Sequence, residues 1–253
     1  MGIDAVSKQA KANVAVFGLG PFAMEVVKNV VLSGCRRITL IDDSPVTWKD
    51  LNGQFFLTES DIGKNRVDSC KYKIQELNNY VKVDKLPYDL SDLTKFKDYT
   101  VLFVTELPYA DQMKLDAFCR ESKIRFISAD CHGPFARLFN DFGPEFEVLD
   151  KNGEDPTEVM IESITNAERG VVTLLKGSKH PYEDGDVVTI NKVDGMTLNL
   201  EGQTSSINGT VHAIKVINSR SFEIGDTRNY SEYIKNGLAK NVKIPIKIDF
   251  PSF

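Results

Sequence analysis

The sequence predicts an α/β chain: a Rossmann-like, mostly parallel sheet followed by a second, small all-β domain. Three observations carry that reading. Apolar runs of strand length alternate with helical patterns from Asn13 to Ala129, and a glycine turn joins the first run to the first helix. Beyond Asp150, helical periodicity gives way to short runs punctuated by Gly, Asn and Asp.

Met1 to Ala12 read as the tail of a polar helix. Val14-Ala15-Val16-Phe17 is a short buried strand, Gly18-Leu19-Gly20-Pro21-Phe22-Ala23 a turn, Met24 to Leu32 a helix, and Ile38 to Ile41 a second strand ending in Asp42-Asp43. Strand, tight turn, helix and strand, with an acid about 20 residues past the glycines, outline a dinucleotide-binding unit. Glycines let the backbone approach a phosphate, the helix N-terminus offers free N–H groups, and Asp42 can accept hydrogen bonds from a ribose. The turn departs from the full pattern: Ala23 stands at the third glycine position, and Pro21 removes one N–H. Gly18, Gly20, Ala23 and Asp42 are therefore candidate cofactor contacts, and the turn alone leaves open a bound nucleotide or a bare scaffold.

After a turn at Asp43-Ser44-Pro45, Trp48 to Leu51 suggest a short helical turn, and the capping-type segment Glu59 to Gly63 precedes a helix with Val67, Cys70, Ile74 and Leu77 on one face. Val81 to Leu86 and Val101 to Thr105 are the third and fourth strands. Ala110 to Ser122 form a helix with Met113, Ala117 and Arg120 in line, and Ile124 to Ala129 a fifth strand. From Phe135 the pattern alternates, so that Phe135 to Phe139 and Glu145 to Leu149 read as antiparallel strands around the turn Asp141-Phe142-Gly143-Pro144. Runs at Met160 to Ile164, Val171 to Leu175, Val187 to Val193, Thr197 to Leu200, Val211 to Val216 and Val242 to Ile248 make up the β module, with a short helical turn expected within Tyr230 to Leu238.

A length of 253 residues and 42% hydrophobic content allow one large or two small domains. The net charge of −5 is spread without blocks, which argues against a general nucleic-acid binder. No apolar run reaches membrane-spanning length and the N-terminus lacks a signal-peptide core, so a soluble, intracellular protein is expected with no membrane partner. Cys35, Cys70, Cys119 and Cys131 show no C-x-x-C spacing, so no metal site is expected; three of them read as small buried hydrophobes. Cys131 adjoins Asp130 and His132, but neighbours on a strand point in different directions and make no catalytic pair. His132, His180 and His212 are dispersed, and no catalytic residue is identified.

Taken together, Gly18-Leu19-Gly20, Glu25 to Gly34, Gln54-Phe55-Phe56-Leu57, Asp61-Ile62-Gly63-Lys64-Asn65-Arg66, Ala129-Asp130, Leu138 to Gly143, Gly170-Val171-Val172-Thr173 and Gly185-Asp186 resemble the amino-terminal part of ubiquitin-activating enzymes. The resemblance covers essentially the whole chain. It implies a ThiF/MoeB-type sheet over residues 1–153, the inactive adenylation half; a first catalytic-cysteine half-domain over 154–248; and a return to the adenylation half at 249–253. In that family one Rossmann-like half adenylates ubiquitin with Mg-ATP while the other is silent. The active half carries a phosphate-contacting arginine where this chain has Gly53, and a magnesium-holding aspartate where it has Leu107. Lys64 and Asp42 match the phosphate and ribose partners. Gly18, Gly20, Ala23, Asp42 and Lys64 are therefore expected to be vestigial, with ATP and magnesium belonging to the full-length enzyme. The silent half's trans-acting arginine would precede residue 1 and the acceptor cysteine would lie in a later segment, so a fragment of a longer enzyme is expected, cytoplasmic and nuclear. Expected partners are ubiquitin or a ubiquitin-like protein, the active half of the same chain and, through the full-length enzyme, ubiquitin-conjugating enzymes. Glu183-Asp184-Gly185-Asp186 and Glu223-Ile224-Gly225-Asp226 are candidate surfaces for a basic partner, and Trp48, Phe55 and Phe56 are expected to pack in the core or against the other half. The alternatives are an independent NAD(P)- or nucleotide-binding Rossmann protein, or the silent subunit of an activator for another ubiquitin-like protein.

Overall fold

Successive residues of a strand face opposite ways, and in the first part of this chain both faces are apolar. The computed structural model describes residues 2–151, 153–200 and 203–253. The chain divides into two units, Met1–Phe146 with Lys247–Phe253, and Glu147–Ile246. In the first unit the Phe146 ring packs on Phe142, 5.0 Å between centres, and on Phe250.

In the first unit the order is α1 (Ile3–Gln9), β1 (Asn13–Phe17), α2 (Pro21–Ser33), β2 (Arg37–Ile41), α3 (Trp48–Leu51), α4 (Arg66–Leu77), β3 (Lys82–Leu86), β4 (Val101–Val104), α5 (Tyr109–Ser122), β5 (Arg125–His132) and β6 (Phe135–Asp141), followed by β7 (Phe146–Val148), which crosses the boundary. The main sheet runs β3-β2-β1-β4-β5-β6, parallel except for β6. In β1, Val14 and Val16 join the core beneath α2 and α4, while Ala15 and Phe17 join the core beneath α5. The strand order reverses between β1 and β4, which opens a crevice at their carboxyl ends.

Pro21 sits in the first turn of α2, where its missing N–H has no helical partner to lose, and Gly34 ends the helix at φ 88°. In α5 the buried face is Gln112, Leu115, Asp116 and Cys119, not the expected line of Met113, Ala117 and Arg120. Arg120 instead reaches back to the buried Asp141 at 2.6 Å and to the Phe250 carbonyl at 3.1 Å. The expected pairing of Phe135–Phe139 with Glu145–Leu149 is also replaced: β6 pairs with β5 in register from Phe126↔Asp141 to His132↔Phe135. Gly133, at φ 59°, reverses the chain directly after β5, while Gly143 and Glu145, both at positive φ, turn it away again before β7.

The second unit contains β8 (Glu158–Ile164), β9 (Val171–Leu174), β10 (Val187–Asn191), β11 (Asp194–Gly195), β12 (Thr197–Leu200), β13 (Gln203–Ser206), β14 (Val211–Ala213), β15 (Lys215–Asn218), β16 (Ser221–Glu223), β17 (Tyr233–Lys235) and β18 (Leu238–Asn241), followed by β19 (Ile246–Ile248), which crosses the boundary. Its principal sheet runs β14-β10-β18-β8-β9-β16-β15, with antiparallel neighbours. The helical turn expected within Tyr230–Leu238 is absent; β17 and β18 occupy that stretch, separated by Asn236 and Gly237, both at positive φ. Leu238–Asn241 forms a further strand, and within the expected Val242–Ile248 run the strand is limited to Ile246–Ile248. Phe222 lies at the centre of this unit's core, edge-on to His180 and Tyr182. Gly170 is required by contact: a Cβ there would stand 2.4 Å from the buried Thr227 side chain. Phe222→Ala is expected to destabilise the second unit by about 3–5 kcal/mol, measurable as a lower urea midpoint for this unit's unfolding.

Candidate functional site

Gly18 follows β1 and Thr105-Glu106 follow β4, so both reach the crevice where the strand order reverses. Gly18 adopts φ 79°, and a Cβ on it would lie 2.2 Å from the Thr105 carbonyl oxygen. The chain therefore needs glycine there for backbone packing, whatever binds nearby. Gly20 is close-packed in another way: a Cβ would meet a carboxylate oxygen of Glu106 at 2.1 Å, so the acid lies against the turn. Glu106 itself has φ 58°, and its N–H donates to Asp130 at 2.8 Å.

Asp42, at the end of β2, is buried and its oxygens are heavily used within the protein. One accepts the Leu19 N–H at 2.8 Å and the Arg66 guanidinium at 3.2 Å; the other accepts the Ser44 N–H at 2.8 Å. Arg66 opens α4, and its helix is set by Asn65, whose side chain accepts the Asp68 N–H at 3.1 Å. Only 14% of the Arg66 side chain is exposed, and it pairs with Asp50 at 2.8 Å and Glu106 at 3.0 Å as well as with Asp42. Burial alone would lower the Arg66 pKa, but the carboxylates of Asp42, Asp50 and Glu106 raise it. Asp50 is fixed in turn by the backbone N–H and hydroxyl of Thr47, each at 2.7 Å. The buried Gln54 amide donates to the Leu19 carbonyl at 2.8 Å, and Gly53 packs so closely on Pro21 that a Cβ would be 2.7 Å away.

The expected candidates thus separate. Gly18, Gly20 and Asp42 meet at the crevice; Ala23 is buried in the α2 core. Lys64 pairs with Asp61 at 3.1 Å, its side chain 58% exposed. Leu107 packs against the apolar core beneath α5. Periodicity gave no indication of Arg66, Glu106 or Gln54; the available signals were an acid directly after the fourth strand and an arginine directly after an Asn cap. Trp48 and Phe55 are 67% and 55% exposed rather than core, whereas Phe56 is partly buried against the core.

Elsewhere, burial pushes the thiols of Cys35 and Cys119 up and that of Cys70 up to about 12, while Cys131 is exposed. Such buried thiols stay protonated at neutral pH. The His212 pKa is lowered by burial, with Nδ1 bound to the Ile224 carbonyl. Among the described residues, no group of three or more His, Cys, Asp or Glu side chains could hold a metal ion. Of the two acidic stretches, Asp184 accepts the Val216 N–H at 2.6 Å, Asp186 accepts the Glu183 N–H at 2.9 Å and Asp226 pairs with Arg228 at 2.5 Å, so these acids hold turns.

Removing Arg66 leaves buried carboxylates uncompensated, so Arg66→Ala is expected to destabilise the first unit by about 3–5 kcal/mol. Glu106→Ala, at a more exposed site, is expected to cost under about 1 kcal/mol in the same denaturant series. The hydroxyl and N–H of Thr58, then Lys64, lower the Asp61 pKa from 3.8 to about 2. That stabilisation is complete above the unfolded-state value and is lost as pH falls through about 2. The Thr58 amide resonance should report its loss within that acid window, with no change from pH 7 to pH 5.

Residues 167–243 match the family described as the ubiquitin-activating enzyme E1 FCCH domain. The chain is 37% identical over 253 residues to ubiquitin-like modifier-activating enzyme 1 of Oryctolagus cuniculus, covering 100% of this chain and 23% of that protein. It is 39% identical over 259 residues to ubiquitin-like modifier-activating enzyme 6 of Homo sapiens, covering 100% of this chain and 24% of that protein. Among solved structures, E. coli MccB with succinimide is similar at 22% identity and a TM-score of 0.48, over 53% of this chain and 43% of that one. The chain therefore spans about a quarter of the length of these two curated relatives. Over its whole length the chain is similar to these two ubiquitin-like modifier-activating enzymes, and residues 167–243 match the E1 FCCH family.

Proposed function

We propose that this chain is a non-catalytic portion of a ubiquitin-activating enzyme, which as a whole adenylates ubiquitin with Mg-ATP and passes it to a cysteine as a thioester. The first unit is read as the inactive adenylation half and the second as the first catalytic-cysteine half-domain. The observation that carries this reading is the state of the crevice. Its glycine turn faces the Glu106 carboxylate rather than a free cation, and Asp42 is engaged by Leu19, Ser44 and Arg66.

A triphosphate approaching this turn would meet a like charge, and a ribose would compete with groups that already engage both Asp42 oxygens. Gly53 supplies no cation for a phosphate, and Leu107 supplies no oxygen for magnesium. On this reading Gly18, Gly20, Ala23, Asp42 and Lys64 are vestigial, and ATP and magnesium serve the active half.

The scaffolding role rests on apolar side chains left at the surface of the first unit: Phe22, Leu32, Trp48, Phe55, Phe135 and Leu138. Exposed apolar groups of this size suit the docking of the active half of the same enzyme. The second unit is read as contributing surface that meets ubiquitin, and ubiquitin-conjugating enzymes are reached through the whole enzyme.

The 253-residue chain, supplied with ubiquitin and Mg-ATP, is expected to catalyse no ATP–pyrophosphate exchange, and calorimetry with NAD is expected to give no saturable heat. Measurable exchange would contradict the proposal. Tight binding of a nicotinamide cofactor would instead favour an independent Rossmann oxidoreductase.

A further inference from the structure

At the end of the main sheet opposite the glycine turn, the first residues of β1, β2 and β3 line a cleft of about 490 Å³. Asn13, Arg36, Arg37, Lys82 and Asp98 form its wall. The backbone holds this group together. The N–H groups of Arg36 and Arg37 both donate to the Ala12 carbonyl, at 3.0 and 3.3 Å, and the Lys82 N–H donates to the Arg36 carbonyl at 3.2 Å. The Asn13 amide donates to the Asp98 carbonyl at 2.9 Å.

The charges in this cleft are incompletely matched. Lys82 pairs with Asp84 at 3.0 Å, but among the described residues no carboxylate pairs with Arg36 or Arg37. The Arg37 guanidinium stacks 4.6 Å from the centre of the Tyr99 ring, which orients it, and its Nε is buried without an acceptor. A guanidinium matches the oxygens of a tetrahedral oxyanion, and the Arg37 plane is already held in place by Tyr99.

We infer that this cleft binds a phosphate group, with Arg36 and Arg37 as the principal donors and Lys82 as a peripheral charge. Asp98 refines the chemistry. A fully ionised sulfate meets it as a like charge, whereas hydrogen phosphate or a phosphomonoester monoanion can donate its O–H to the carboxylate. The inference does not depend on the proposed function, because none of these residues belongs to the crevice at the carboxyl ends of the strands.

Calorimetric titration of the 253-residue chain with inorganic phosphate, sulfate and O-phosphoserine tests it. Saturable phosphate binding is expected, weaker for sulfate, and tighter for phosphoserine if the group arrives on a peptide side chain. Arg36→Gln and Arg37→Gln should each weaken phosphate binding by about tenfold or more, with exposed Lys176→Gln as an unchanged control. Arg36 is exposed, so its variant tests the site even if Arg37→Gln disturbs the stack on Tyr99. No saturable binding, equal binding to Arg36→Gln, or sulfate bound as tightly as phosphate would overturn the assignment.

Discussion

The Asp42 carboxylate, buried at the end of the second strand, is the constraint on which the crevice depends. It joins the glycine turn through Leu19, the loop after β2 through Ser44, and the start of α4 through Arg66. A buried charge is tolerated only when it is matched and its lone pairs are satisfied, and here both conditions are met by the protein's own groups. Arg66 extends the same logic to Asp50 and Glu106, so that one guanidinium gathers acids from three separate segments. The same network holds the turn, α3 and α4 together.

Much of the fold could be read from residue order. The alternation of Val14 and Val16 with Ala15 and Phe17 identifies a strand buried on both faces, and the glycine turn fixes the first βα connection. Features set by long-range pairing were hidden. Phe135 to Asp141 alternates plausibly for several partners, and only the reversal at Gly133 makes β5 the neighbour. In α5, Asp116 and Gln112 occupy the buried face because their polar atoms find the Phe253 N–H and the Leu107 carbonyl, partners that helical periodicity cannot anticipate. In the second unit, propensity around Tyr230 to Leu238 yields to strand pairing with β8, β10 and β11.

The candidate site was legible in outline and hidden in its chemistry. Gly18, Gly20 and Asp42 stand together as their spacing implies, while the groups that decide what the crevice can accept, Arg66 and Glu106, come from α4 and from the end of β4. Neither fits a nucleotide-binding pattern, and both were identified only once tertiary structure placed them. The same separation holds at the opposite sheet end, where Arg36, Arg37 and Lys82 belong to two strand entrances that meet only through parallel pairing.

The central claim is that both carboxylate oxygens of Asp42 are engaged inside the protein. Amide hydrogen exchange of Leu19 and Ser44, followed with and without saturating Mg-ATP, measures this most directly. The account predicts that both amides are protected and that the nucleotide leaves their exchange unchanged, with Leu19 protection lost in Asp42→Ala. Rapid exchange in the free protein, or protection that appears only with nucleotide, would contradict it.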